Sequence, residues 1–201
     1  MNKTLVIALL AACLTPAVQA AGDPAAGQGK VALCTACHGA DGNSIAANFP
    51  KLASQGEPYL LKQLADIKQG KRSVPEMTGM LDNFSDQDLM DIAAWYSSQQ
   101  PTVGFADPNL VAAGEQLFRG GRLESGLPAC TGCHSPNGLG NAAARFPHLS
   151  GQHAQYIAKQ LTDFREGQRA NDGDAMIMRS IAAKLSNKDI AALASYIQGL
   201  H

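Results

Sequence analysis

Two pentapeptides constrain this chain more than any other feature: Cys-Thr-Ala-Cys-His at residues 34–38 and Cys-Thr-Gly-Cys-His at residues 130–134. They are the most visible part of an internal duplication. Cys34, Cys37 and His38 recur as Cys130, Cys133 and His134 at an offset of 96, and Phe49, Pro50 and Leu52 recur as Phe146, Pro147 and Leu149 at an offset of 97. Tyr59, Lys62, Gln63, Leu64 and Gly70 also repeat at 97, and Ser85 with Asp88 returns as Ser186 with Asp189 at 101. The order is kept and the offset drifts only through small insertions, so the chain is two copies of one unit.

Each unit reads as helices. Leu60, Leu64 and Ile67 fall on one face at helical spacing, and Ile157, Leu161 and Phe164 repeat the pattern. Gly70 and Gly167 stand where those helices would stop. Ser85 and Ser186 each have Asp three residues on, a variant of the capping box that opens a helix. The helices that follow carry Leu89, Ile92, Ala93 and Tyr96 in one unit and Ile190, Leu193, Ala194 and Ile197 in the other. Alternating strand patterns are absent. The expected class is all-α, two tandem domains at residues 21–98 and 107–201. The linker at 99–106 is marked by Pro101 and Gly104.

Residues 1–20 read as a leader. Lys3 precedes a ten-residue apolar run from Leu5 to Leu14, and Val18-Gln19-Ala20 supplies the small residues of a cleavage site before Ala21. That run is about half of the ~20 residues a membrane span needs. A rival reading takes Leu10-Ala11-Ala12-Cys13 as a lipoprotein signal with Cys13 lipidated, but its apolar core would be shorter. Export with cleavage at Ala20 removes Cys13, and all four remaining cysteines then lie in the two repeated motifs.

Composition bounds the rest. Aromatic residues make up only 5% of the chain. A domain of ~90 residues buries little more than about 60% of its unfolded surface, so a large non-protein group would help to fill each core. Residues 21–104 hold six Lys and Arg against nine Asp and Glu, and residues 105–201 hold nine against eight. No concentrated basic face of the kind nucleic acid demands is encoded.

The chemistry lies in the motifs. Residues three and four apart share a helix face, so the two thiols and the histidine of each motif point one way. Two thiols at that spacing form thioethers to the vinyl groups of a haem, and the next histidine binds its iron, the C-x-x-C-H attachment of haem c. A structural zinc needs four ligands, and each motif offers at most three. A thioredoxin-like redox pair needs a strand–helix context that is missing here. Disulfides would leave the doubled histidine unexplained. Two haem c groups are therefore expected on Cys34, Cys37, Cys130 and Cys133, with His38 and His134 on the irons.

The opposite axial position decides what such an iron does, and methionine there makes a six-coordinate electron-transfer centre. Met77 and Met80 are available in the first unit, Met176 and Met178 in the second. Met77 precedes Ser85 by eight residues and Met178 precedes Ser186 by eight, whereas Met80 stands at five and Met176 at ten. Equal spacing favours Met77 and Met178. His148, His153 and His201 have no counterpart in the first unit and are expected to be ordinary side chains.

With these residues assembled, the sequence resembles the cytochrome c4 family, periplasmic dihaem electron carriers built from two class I cytochrome c domains. The doubled motif, the Phe-Pro-x-Leu segments, the methionine loops and the closing stretch from Leu185 carry the resemblance, which covers the whole mature chain. It implies covalent haem at the four cysteines and the axial pairs His38 with Met77 and His134 with Met178. It implies that the carbonyls of Pro50 and Pro147 take the proton-bearing nitrogen of the ligand histidines. It also implies a pseudo-twofold arrangement of the domains, with haem propionates near their interface, and a loose association with the inner membrane.

The function expected is that of an electron carrier in a periplasmic respiratory chain, not an enzyme. Its redox partners would be a quinol-oxidising complex as donor and a terminal oxidase as acceptor, with no nucleic acid and no small-molecule substrate. Two rivals use the same haem chemistry. One is a dihaem electron-transfer subunit of a larger oxidoreductase. The other is a dihaem peroxidase, which needs an iron that opens its sixth position.

Overall fold

The computed structural model describes residues 22–201; the expected leader, including Cys13, lies outside the described residues. In the first unit the elements are α1 (Pro24–Gln28), α2 (Thr35–His38), α3 (Glu57–Lys68), a 3-10 turn (Pro75–Met77) and α4 (Asp86–Ser97). The second unit holds α5 (Pro108–Gly120), a 3-10 turn (Leu123–Ser125), α6 (Thr131–His134), α7 (Ala154–Arg165), α8 (Ile177–Ala182) and α9 (Asn187–Gly199). Among the described residues, β pairing is limited to two isolated bridges, Arg122 with Leu127 and Asn141 with Phe146. The fold is all-α.

Local chemistry sets the helix ends. Asp23 and Asp107 cap α1 and α5 by accepting from Ala25 N–H and Asn109 N–H, and each is followed by proline at the first helical position. Ser85 and Ser186 form full capping boxes with Asp88 and Asp189 at the starts of α4 and α9. Gly70 and Gly167 lie just past α3 and α7 with φ of 70° and 74°, the left-handed conformation that satisfies the last carbonyls of a helix.

In each unit the first helix lies on the last. The contact is close enough that a Cβ on Gly27 would sit 2.0 Å from the Asp91 carbonyl oxygen, and one on Gly114 would sit 2.3 Å from that of Ala192. The cores grow from these pairs. Val31, Leu60, Ile92, Ala93 and Tyr96 fill the first unit. A larger set around Phe118, Ile157, Leu193 and Ile197 fills the second, with the Phe118 and Tyr196 rings 5.6 Å apart.

The two copies differ before their last helices. Pro75 starts a single 3-10 turn in the first unit, which ends where Thr78 turns extended at ψ 124°. Residues 174–186 contain neither proline nor glycine, and there the chain forms α8.

The segment joining the units is strapped to both. Thr102 N–H donates to Asn43 Oδ1 at 2.8 Å, Lys51 Nζ donates to the Thr102 carbonyl at 2.6 Å, and Gly104 N–H donates to the Gln198 carbonyl at 3.1 Å. No helix among the described residues is long and apolar enough to cross a membrane.

Candidate cofactor site

α2 and α6 are single turns, and their brevity serves the site. Each follows directly on a cysteine at its N-cap and ends at a histidine, so Cys34, Cys37 and His38, and likewise Cys130, Cys133 and His134, are presented together. Both sets line one continuous cavity of about 860 Å³ that runs through the two units. Its wall is mostly apolar and includes Leu60, Leu64 and Ile67 of α3 and Ile157, Leu161 and Phe164 of α7.

The histidines are fixed in one tautomer. His38 Nδ1 donates to the Pro50 carbonyl at 2.9 Å and His134 Nδ1 donates to the Pro147 carbonyl at 3.0 Å. That leaves each Nε2 as the ring's lone pair. Burial pushes both imidazole pKa values down, against the pull of the proline carbonyls, so both rings stay neutral and able to ligate. Phe49 and Phe146 pack against the two rings at centroid distances of 6.3 Å.

The four cysteines form no disulfide. Burial raises the Cys34 thiol and pushes that of Cys130 up to about 11, the opposite of the depressed pKa that activates a redox dithiol. Among the described residues, no three His, Cys, Asp or Glu side chains converge as a metal cluster. The donor set therefore matches an iron brought in by a macrocycle rather than a bare ion.

The methionines separate in one unit and not in the other. Met178, in the first turn of α8, is half-buried on the cavity wall, whereas Met176 is 47% exposed and lies off it. Met77 and Met80 both line the cavity. Apolar walls, paired thiols, a neutral imidazole and a thioether sulfur in each unit together fit a haem.

The interface between the units contains residues to which sequence reasoning assigned no role. His148 Nδ1 lies 3.1 Å from the Ser54 carbonyl and His153 Nε2 lies 2.8 Å from that of Ser44, so both histidines serve the seam. His148 Nε2 is buried without a partner among the described residues, on the cavity wall. Around it Gln55 and Gln152, Tyr59 and Tyr156, Gln63 and Gln160, and Arg72 and Arg169 recur at the same offset of 97. The recurrence of these polar residues at one constant offset was the available signal.

A doubled helical unit, each copy carrying a Cys-x-x-Cys-His turn and a buried imidazole on a shared apolar cavity, defines a dihaem c-type cytochrome. The Cytochrome c family model matches the chain twice, at residues 24–100 and 111–201. Cytochrome c4 of Pseudomonas aeruginosa is 72% identical and that of Azotobacter vinelandii 70% identical, each match covering all of both chains. The crystal structure of reduced recombinant cytochrome c4 from Pseudomonas stutzeri superposes with a TM-score of 0.89 at 70% identity, covering 90% of this chain and all of that one. The chain belongs to the cytochrome c4 family: it is a dihaem electron-transfer protein with two covalently bound haem c groups.

Proposed function

We propose that the two units, residues 21–98 and 107–201, each hold one haem through the ligands expected from the sequence. Cys34 and Cys37 would hold the first haem covalently, with His38 and Met77 as ligands to its iron. Cys130 and Cys133 would hold the second, with His134 and Met178. The haem, when bound, supplies one-electron cycling between ferric and ferrous iron. The chain's own residues hold the imidazoles neutral and oriented and exclude water behind apolar walls. They also place a methionine side chain of each unit on the cavity wall, where its sulfur would serve as the second iron ligand. The observation that carries this reading is the pair of matched bonds from His38 to Pro50 and from His134 to Pro147, which leave the same nitrogen free in both units.

The chain works in the periplasm, where it is loosely associated with the inner membrane. It takes electrons from a quinol-oxidising complex and passes them to a terminal oxidase. The amino-terminal leader pattern and the cytochrome c4 relatives support this placement.

The test is the optical spectrum of the fully reduced protein before and after carbon monoxide. An unchanged spectrum means that both irons keep their sixth ligand, as an electron carrier requires. A shift at either haem means an open position, and the peroxidase reading replaces this one.

A further inference from the structure

The two units supply the same set of haem-binding residue types, so an inequality between their irons has to come from what surrounds those residues. One position on the cavity wall differs in kind. Ile92, Ala93 and Tyr96 of α4 correspond to Leu193, Ala194 and Ile197 of α9 at the offset of 101. The backbone bears out the last pairing: Ser54 N–H donates to the Tyr96 carbonyl and Gly151 N–H to that of Ile197, each at 3.0 Å. Tyr96 and Ile197 both line the cavity and both are buried, Tyr96 at 1% exposure. The first wall thus carries a hydroxyl where the second carries only a branched hydrocarbon.

Tyr96 Oη is buried without a hydrogen-bond partner among the described residues. The ring is held where it stands. It packs on Gly42, at φ 81°, so closely that a Cβ there would sit 2.7 Å from Tyr96 Cδ1. A buried hydroxyl left unmatched is costly, and such groups are nearly always paired, so its partner must come with whatever fills the cavity.

The neighbour of that hydroxyl is the Cys34 sulfur. Burial raises the Cys34 thiol, and the Tyr96 hydroxyl draws it part of the way back. Burial and then Cys34 raise the hydroxyl in turn, so Tyr96 keeps its proton. Cys130, the counterpart of Cys34, has no hydroxyl acting on it.

Haem attachment changes what Cys34 offers. Its sulfur bonds to one carbon of a vinyl group and a proton goes to the other, so the double bond is lost and the sulfur keeps lone pairs but no proton. Toward such a sulfur a hydroxyl acts only as the donor.

We propose that Tyr96 makes the two irons unequal: its hydroxyl donates to the Cys34 thioether sulfur and raises the reduction potential of the first haem alone. The inference rests on haem attachment at Cys34, as assigned above. A hydrogen aimed at a sulfur joined to the macrocycle sets partial positive charge beside it, and this disfavours the ferric state. Ile197 gives the second haem no such charge.

The test is a potentiometric titration of the holoprotein, resolved into its two midpoints, for the wild type and for Y96F, which keeps the ring and removes only the unpaired oxygen. The double variant Met77→Ala/Met80→Ala, which strips the first unit of both candidate sulfurs, marks the midpoint that belongs to the first haem. Y96F is expected to lower that midpoint, to leave the other in place and to keep the methionine-dependent ferric band of both haems. A Y96F protein that shifts neither midpoint, both equally or only the second overturns the proposal. So does a shift accompanied by loss of the band, which would act through the iron ligand instead. A wild-type haemochrome spectrum with fewer than two thioether-bound haems per chain would remove the attachment itself, so the two failures register in different signals.

Discussion

Gln55 and Gln152 each place a side-chain amide across the main chain of the opposite unit. Gln55 accepts from His148 N–H at 2.8 Å and donates to the His148 carbonyl at 3.0 Å, while Gln152 accepts from Lys51 N–H and donates to the Lys51 carbonyl, both at 2.9 Å. Both glutamines are 7% exposed. The relationship is reciprocal because positions 51 and 148, like 55 and 152, are equivalent in the repeat. It locks the two units at a fixed register beside the cavity.

Removing one of these amides strands a buried N–H and a buried carbonyl. Gln55→Ala is therefore expected to destabilise the holoprotein by about 2 kcal/mol. The double variant Gln55→Ala/Gln152→Ala is expected to separate one cooperative urea transition into two. A double variant that unfolds in a single transition at the wild-type midpoint would show that the grip is energetically idle.

The glycines at the helix crossings give a second prediction. Gly27→Ala and Gly114→Ala each drive a methyl group into a backbone carbonyl of the partner helix and should cost about 2 kcal/mol or more. Gly120→Ala, at the end of α5 with no atom within 4 Å of the added methyl, is expected to be neutral or to stabilise by about 0.5 kcal/mol. Thermal melts of the three variants decide it. Equal losses at all three positions would mean that close approach is not what selects glycine.

For the proposed sulfur ligands, Met77→Ala and Met178→Ala are each expected to abolish about half of the methionine-dependent ferric band and to let one haem bind carbon monoxide. Met80→Ala and Met176→Ala should leave both signals intact. Loss of the band in Met80→Ala, with Met77→Ala unaffected, would exchange the two ligands in the first unit.

One source of acid sensitivity lies at the last helix. Burial raises the Asp189 carboxyl, but the bonds from Arg122 and Ser186 outweigh it and hold the pKa below the ordinary carboxylate value. A group whose pKa is depressed on folding contributes stability above its unfolded value, about 3.9, and that contribution disappears as pH falls through the folded value. Asp189→Asn is therefore expected to destabilise the protein by about 1 kcal/mol at neutral pH, the scale of a lost helix cap. The gap from wild type should narrow below about pH 4. Parallel melting curves from pH 7 to pH 3 that never converge would locate the stabilisation elsewhere.

Much of the site was legible in the sequence because its parts are local. Cys34, Cys37 and His38 share one helical turn, so their spacing alone predicts that they present together. The capping boxes at Ser85 and Ser186, and the left-handed Gly70 and Gly167, are equally local and stand where the repeat put them. α1 and α5 were not read in advance, although Asp23-Pro24 and Asp107-Pro108 are helix-start signals. α1 is too short to show a period, whereas α5 sets Leu110, Val111, Leu117 and Phe118 at helical spacing on one face, a signal that was available and went unread. α8 was also unread, because its formation turns on what residues 174–186 lack.

By itself the sequence determined the duplication, the helical class and the two Cys-x-x-Cys-His turns, since each is written in spacings of a few residues or in one constant offset. Tertiary structure alone decided what faces what. The turn before α8 puts Met178, which its spacing to Ser186 already favoured, on the cavity wall and leaves Met176 exposed, although the two are only two residues apart. The partners joined across the seam, such as Arg72 with Tyr156 and Arg169 with Tyr59, are separated by 84 and 110 residues. No local periodicity reaches that far. Such pairs are set by the packing of two finished units, where buried polar groups must find one another because water is excluded.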